Sequence, residues 1–483
     1  MPKENLSHRM ILGESVRSSY LMGPRVPEVV LTPSGGHRAG LHADGGRPQP
    51  VTPRYRTGDQ NWVRERNLAI ALSYVWEAGR PISRAEMVNT SGLNKSTVGS
   101  LLAQLQAWGF VKEGGRSEPR PGRPGTLLDV NPDGGRLIGV EIGVGFVSVA
   151  VTDMKAEVRW RQKVDVTIAP APSRQHQARV LETAERLVQT AIAKTVGRHR
   201  MLGIGLGVPG LVDHKTGTLL FAPNLHWRDV PLRDRWIERF GVPVIVENEA
   251  NAAALGEQML GTAKGVDDFI YLSAGVGLGG GLVVRGELYG GTGGFAGEVG
   301  HMTIEPDGPP CNCGNRGCWE TLAGPTTIIR KVREAIAAGR APRQTLVGDG
   351  ALEALRMDQV LQAAASGDPV VLEILGEVGC YLGIGIANLI NVFNPSLVVM
   401  GGVLSLVAPY VLPRARQEVE ARAVAAPRRE VRILVSRFKF DACVMGGVSL
   451  ILRKILSDPV AWRPQQRPSG RPERALVLRR GVL

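Results

Sequence analysis

"HMTIEPDGPPCNCGNRGCWE", residues 301–320, places three cysteines within eight residues and a histidine ten positions ahead of the first. The chain has 483 residues and five cysteines, an odd number, too few in too large a chain to build a disulfide framework. Reduced thiols in a cluster need another explanation. His301, Cys311, Cys313 and Cys318 supply one imidazole and three thiolates, a donor set suited to tetrahedral zinc, and Gly314 and Gly317 let the backbone wrap closely around an ion. Four protein ligands close the coordination sphere, so the expected zinc is structural: it shapes a loop and activates no water. The competing reading is buried, reduced cysteines beside a turn.

Working outward, the opening "MPKENLSHRMILGESVRSSYLMG" has no continuous apolar segment of the kind a signal peptide needs, and no later stretch has the uninterrupted apolar run of a membrane span. The expected location is cytoplasmic, with no membrane partner. The formal charge of +13 points to a polyanionic partner. Arginine is frequent in the N-terminal third and in the final "RPQQRPSGRPERALVLRR", both outside the Gly-rich, apolar middle. Residues 1–57 carry Gly, Pro and Arg without an apolar period and read as a disordered extension, or as the product of a start assigned too far upstream. Residues 456–483 read as a basic tail.

From Asn61 the pattern changes. "NWVRERNLAIALSYVWEAG" repeats apolar residues at helical spacing, with Val63, Leu68, Ile70, Ala71, Leu72, Val75 and Trp76 available for one face. "PISRAEMVNTSGLNKSTVGSLLAQLQAWGFV" then reads as Ser83 capping a short helix, a turn at Ser91 and Gly92, and a second helix capped by Asn94. In a helix-turn-helix unit the second helix enters the major groove, so Asn94, Lys95, Ser96, Thr97 and Ser100 are the candidate DNA contacts, while Val98, Leu101, Leu102 and Leu105 face inward. An ordinary helical hairpin with a wet polar face is the alternative. Two strand-like runs, Phe110–Lys112 and Thr126–Val130, flank a Gly, Pro and Arg loop as a wing would, and its Arg116, Arg120 and Arg123 can meet phosphates. Residues 58–133 therefore form the expected DNA-binding domain.

From Arg136 strands and helices alternate. "RLIGVEIGVGFVSVAVTD" has the pattern of a hairpin, and "FIYLSAGVGLGGGLVVRGELYGG" repeats its strand and glycine-loop theme. Two such openings, near residues 137 and 268, imply two related α/β lobes with a cleft between them, spanning residues 134–455 and enclosing the zinc loop 301–318.

"GEVGHM" followed by "CNCGNRGCWE", together with "ENEANAAALGE", resembles the ROK family (repressors, open reading frames and sugar kinases), and within it the transcription-factor branch. The resemblance covers about residues 60–455 and implies an actin-like (ribonuclease H-like) two-lobed sugar-kinase fold behind an α+β winged helix-turn-helix domain. In that family the histidine and three cysteines bind zinc. By the same resemblance Asn248, Glu298, His301 and Glu320 contact the sugar, with His301 using one ring nitrogen for zinc and leaving the other for a hydroxyl or a supporting group. Helix capping and surface pairing are the plainer uses of Asn248, Glu298 and Glu320.

The kinase machinery departs from the family pattern in three places. The first phosphate loop "DxGGT" is Glu141-Ile142-Gly143-Val144-Gly145 here, the second, "GTGxGGG", has Val276 in place of its hydroxyl, and the catalytic Asp of "NDAN" is Glu249. A base on a longer arm sits out of register with a substrate hydroxyl. The expectation is a sugar-responsive repressor without catalysis, a homodimer or homotetramer on a pseudo-palindromic double-stranded operator, with a sugar or sugar phosphate as effector. An ATP-dependent hexose kinase carrying a DNA-binding head, and a ligand-free dimerisation scaffold, are the alternatives.

Overall fold

Burial along the first helix, Gln60–Glu77, follows one 3.6-residue stripe: Leu68, Ala71, Leu72 and Val75 are buried. Val63 and Ile70, two of the apolar residues expected on that face, lie off the stripe and are exposed. The computed structural model describes residues 60–464 apart from 117–125, 168–170, 172, 198 and 349. The extension 1–57, Arg120, Arg123 and the chain beyond residue 464 lie outside the described residues.

The caps behave as read. Ser83 Oγ accepts from the backbone N–H of Glu86 (3.1 Å) to start Arg84–Ser91, Gly92 ends it in the left-handed region (φ 68°), and Asn94 Oδ1 accepts from Thr97 N–H (2.8 Å) to start Lys95–Ala107. Strand Thr126–Val130 pairs antiparallel with both Ile82–Ser83 and Val111–Arg116, completing the small sheet of a winged helix.

Each lobe is built on a five-stranded sheet, and the two sheets share one strand order. In the N-terminal lobe Arg136–Gly143, Phe146–Thr152 and Val158–Asp165 form an antiparallel meander. Met201–Val208 then runs parallel to the first of them, and Val244–Asn248 runs parallel outside it. The C-terminal lobe repeats this with Phe269–Ala274, Leu278–Val284 and Glu287–Leu288, followed by Leu397–Gly402 and Arg432–Val435. The repetition gives the two related lobes expected from the glycine-loop hairpins, in the actin-like arrangement that the family resemblance implies.

Between the lobes runs the last long helix, Ala442–Ser457, packed so closely that side chains are excluded. A Cβ on Gly205 would lie 1.9 Å from the Gly447 carbonyl oxygen, and one on Gly446 would lie 1.9 Å from that of Ala252 in helix Glu249–Leu260. The far end of the same helix carries Val448, Ile451, Leu452, Ile455 and Leu456 into one core with Leu68, Leu72 and Val75 of the winged helix. Beyond it Trp462 Nε1 donates to the Leu202 carbonyl (2.8 Å). Helix Pro369–Phe393 is, among the described residues, long and apolar enough to cross a membrane, and it packs instead into the C-terminal lobe's core with Val407, Val411 and Ala415.

Candidate functional site

Two strand ends and two loops converge on a cavity of about 530 Å³ between the lobes. Asn248 closes strand Val244–Asn248 and caps the helix that follows, its Oδ1 accepting from Ala250 (2.8 Å) and Asn251 (3.2 Å) N–H. Its Nδ2 donates to the Gly210 carbonyl (3.1 Å) and to Glu249 Oε2 (2.8 Å). The capping use weighed in the sequence is therefore real, and it fixes the amide at the cavity wall. Glu298, His301 and Glu320 line the same cavity, so all four expected sugar contacts meet there. Glu141, Gly143, Val144, Glu249 and Val276 line it too, whereas Gly145 lies off it in a small neighbouring recess.

The loop 301–318 brings its four donors within 4.8 Å of one another. His301 Nδ1 lies 3.6 Å from Cys311 Sγ, and Cys313 Sγ lies 3.7 Å from Cys318 Sγ. A tetrahedron with metal–sulfur bonds of about 2.3 Å has edges of about 3.7 Å, so this group can hold a metal ion. Gly317 makes the turn possible: its φ is 62°, and a Cβ there would lie 1.5 Å from the Glu305 carbonyl oxygen. While Nδ1 faces the sulfurs, His301 Nε2 lies 3.8 Å from Glu298 Oε2, the division of labour expected for this ring. Glu320 accepts from Cys311 Sγ (2.9 Å) and is held in place by Trp319, fully buried with its Nε1 donating to the Tyr381 carbonyl (2.9 Å).

Burial sets the protonation of the cavity's acids. It pushes Glu249 up to about 8, with the charges of Glu298 and Glu141 acting in the same direction. Burial also raises Glu141 to about 8 against the pull of Lys163, and one oxygen of Glu141 has no hydrogen-bond partner. Glu298 is raised as well, chiefly by desolvation.

One residue at this site carried no signal in the sequence. His214 reaches from the N-terminal lobe to the glycine-rich loop of the C-terminal lobe: its Nδ1 is 3.2 Å from Glu247 Oε2 and its Nε2 is 3.2 Å from the Gly294 carbonyl. The Glu247 hydrogen bond raises the imidazole to about 9, assisted by Asp213 and the Gly294 carbonyl, while burial opposes. A folded-state pKa above the ordinary histidine value means that the bridge is complete below about pH 6.5 and is lost as the pH climbs through about 9. The melting temperature of the unmodified protein should therefore fall more between about pH 7 and 9.5 than that of His214→Gln. Calorimetry across that range is the check, and superimposable pH profiles would show that the bridge contributes nothing.

On the winged helix, Lys95, Ser96 and Ser100 are exposed and Thr97 is half-buried. Asn94 Oδ1 also accepts from Ser96 Oγ (2.7 Å). Arg64 joins this face from the first helix, its guanidinium donating to Gln104 Oε1 (2.6 Å) and Ser100 Oγ (3.2 Å). Nothing local in the sequence marks Arg64, because the contact spans 36 residues.

A two-lobed actin-like fold joined to a winged helix and carrying a His-Cys₃ loop beside a polar cavity defines a class of sugar-kinase-like regulators. The chain belongs to the ROK family, whose model matches residues 137–454. It is 34% identical over 403 residues to the xylose repressor of Caldicellulosiruptor bescii, covering 83% of this chain and 99% of that one. A crystal structure of a ROK family transcriptional regulator, described as a homologue of the E. coli MLC protein, superposes with a TM-score of 0.70 at 28% identity, over 82% of this chain and 97% of that one. A ROK glucokinase from Streptomyces griseus, solved with glucose and AMPPNP, is similar over 65% of this chain and 99% of its own at 33% identity and a TM-score of 0.57.

Proposed function

We propose that this chain is a sugar-responsive transcriptional repressor whose winged helix binds an operator and whose kinase-like cavity binds a sugar without phosphorylating it. The observation that carries the reading is the helix Ala442–Ser457. Its first residues, Ala442 and Cys443, line the cavity, its middle is locked against helix Glu249–Leu260, and its end is part of the winged helix's core. Sugar that alters the lobes' closure moves an element that the DNA-binding head cannot ignore. Likeness to a xylose repressor over 83% of the chain, winged helix included, supports the same reading.

In this reading Asn248, Glu298, His301 and Glu320 hold the sugar hydroxyls, and zinc on His301, Cys311, Cys313 and Cys318 fixes the wall that presents them. Zinc suits three sulfurs and an imidazole. Once bound as a thiolate, Cys311 no longer donates to Glu320, whose carboxylate is then available to a sugar hydroxyl. Asn94, Lys95, Ser96, Thr97 and Ser100, joined by Arg64 and by the wing's Arg116, Arg120 and Arg123, form the DNA surface. A homodimer presents two such surfaces to the half-sites of a pseudo-palindrome. The retained backbone of Gly275, Gly277 and Gly279–Gly281 favours one rival, a hexose kinase with an accessory head.

The test is operator binding by the purified full chain, on DNA selected from a random pool, with and without a panel of pentoses, hexoses and their phosphates. Coupling of about 1–3 kcal/mol gives a sugar-dependent change of about 5 to 150-fold. Lys95→Ala should weaken binding and change the preferred base at one position of each half-site. Arg64→Ala should instead weaken all sequences alike and make the log–log salt slope shallower by about 0.9 for each phosphate the arginine neutralises. DNA affinity that no sugar alters would leave the sensor reading without support.

A further inference from the structure

Five aromatic rings line the cavity: Phe146, Phe221, Tyr271, Phe295 and Phe440. Three are committed elsewhere, and a fourth, Phe440, is 47% exposed beside Lys163. Lys163 Nζ sits 3.8 Å from the centroid of Phe146 and 5.9 Å from that of Phe440, on the side where the first phosphate loop lies. The Arg228 guanidinium covers Phe221 at 4.2 Å, and Tyr271 is 1% exposed in the sheet. Phe295 is 39% exposed and has no ring or cation partner among the described residues.

Its backbone setting is equally specific. Phe295 follows Gly293 and Gly294 and precedes Ala296 and Gly297, and it stands three residues ahead of Glu298. Gly291, Gly294 and Gly297 all have φ values between 66° and 102°, which side-chain-bearing residues rarely adopt. The loop is closed on itself by Ala296 N–H donating to the Gly290 carbonyl (2.9 Å) and is tied to the opposite lobe by His214 at Gly294. A tethered loop whose turns rest on its glycines thus carries one large apolar side chain to a cavity also lined by carboxylates, an amide and an imidazole.

A pyranose presents two kinds of surface. Its rim of hydroxyls needs paired donors and acceptors, and its ring faces are C–H groups that gain by leaving water against an aromatic plane. The rim matches Asn248, Glu298, His301 and Glu320; the face has no partner among them. We infer that Phe295 stacks on the C–H face of the bound sugar and makes the cavity selective for pyranoses whose hydroxyls are all equatorial. An axial hydroxyl on the stacked face interrupts it and would be pressed against the ring without a hydrogen-bond partner, so the preference requires stacking on the face from which galactose's 4-hydroxyl projects. The inference rests on the cavity being a sugar site.

The experiment is calorimetric titration of the full-length, zinc-replete chain with D-xylose, D-glucose and D-galactose, repeated on Phe295→Ala and Phe295→Tyr. The unmodified chain should bind xylose or glucose at least about tenfold more tightly than galactose, whose 4-hydroxyl is axial. Losing the burial of a phenyl ring should cost Phe295→Ala roughly tenfold to a hundredfold in affinity for the preferred sugar and narrow the gap to galactose. Phe295→Tyr, which keeps the plane, should stay within about threefold. The melting temperature without sugar serves as the folding control, and an exposed loop residue should leave it unchanged. Undiminished binding by Phe295→Ala would overturn the stacking role, and equal affinity of the unmodified chain for galactose would overturn the selectivity, both while leaving the sugar site standing. Absence of binding by the unmodified chain to any of the three would instead remove the sugar site and the inference with it.

Discussion

Replacing Cys313 by serine is expected to strip the chain of zinc and to lower its sugar affinity by more than about tenfold. Structural zinc on a closed four-ligand site contributes on the order of 10 kcal/mol to the fold of its own loop, and a serine hydroxyl is a poor substitute for a thiolate. The consequence reaches the cavity through short connections. Glu320 stands two residues beyond Cys318, and His301 carries the sulfur-facing and the cavity-facing nitrogens on one ring. The effect should spare the winged helix and the N-terminal lobe, which draw their cores from other residues. Elemental analysis after dialysis is the measurement, with Cys380→Ser as the control that keeps one zinc per chain. A Cys313→Ser protein that retains full zinc and an unchanged sugar affinity would show that the four residues are merely neighbours.

How far the sequence carried can be judged residue by residue. Local chemistry was fully legible: Ser83 and Asn94 cap the helices they were expected to cap, because a cap is decided by the next three residues. The presence of two related lobes followed from two hairpins with glycine loops, whereas their shared strand order is seen only in the fold. What escaped was whatever depends on distant chain. Val63 and Ile70 look as apolar as Leu68, yet face solvent, since the stripe is set by what packs against it. Arg64 and His214 acquire partners 36 and 80 residues away. Asn248 was readable as a ligand or as a cap, and the structure gives it the cap while leaving it at the cavity wall. The role of the helix Ala442–Ser457 was invisible for the same reason: "ACVMGGVSLILRKILS" reads as one more apolar helix until Gly446 is seen against Ala252.

The unmodified chain is expected to release no ADP from ATP with any hexose, at about pH 7 or about pH 9. At the lower pH the reason is electrostatic. A carboxyl raised to about 8 by burial is about nine-tenths protonated at neutral pH, so only about a tenth of the Glu249 side chains can accept a hydroxyl proton. At the higher pH it ionises, and geometry takes over as the obstacle. Its Oε2 is held by Asn248 Nδ2, and its arm is one methylene longer than the aspartate of the family's kinases. General-base assistance contributes typically about 10² to 10⁴-fold, so its loss alone should lower turnover by about that factor. The phosphate side is expected to fail independently. Val276 offers no hydroxyl, and Gly145 has a φ of 86°, a conformation that a β-branched threonine resists, so the missing hydroxyl there cannot be restored by substitution without moving the backbone. Glu249→Asp combined with Val276→Thr should therefore gain at most weak activity, even though both changes recreate the kinase residues. A coupled ADP assay decides the matter: rapid turnover by the unmodified protein at either pH would make it a kinase with a DNA-binding head, and robust turnover by the double variant would show that Gly145 is no barrier.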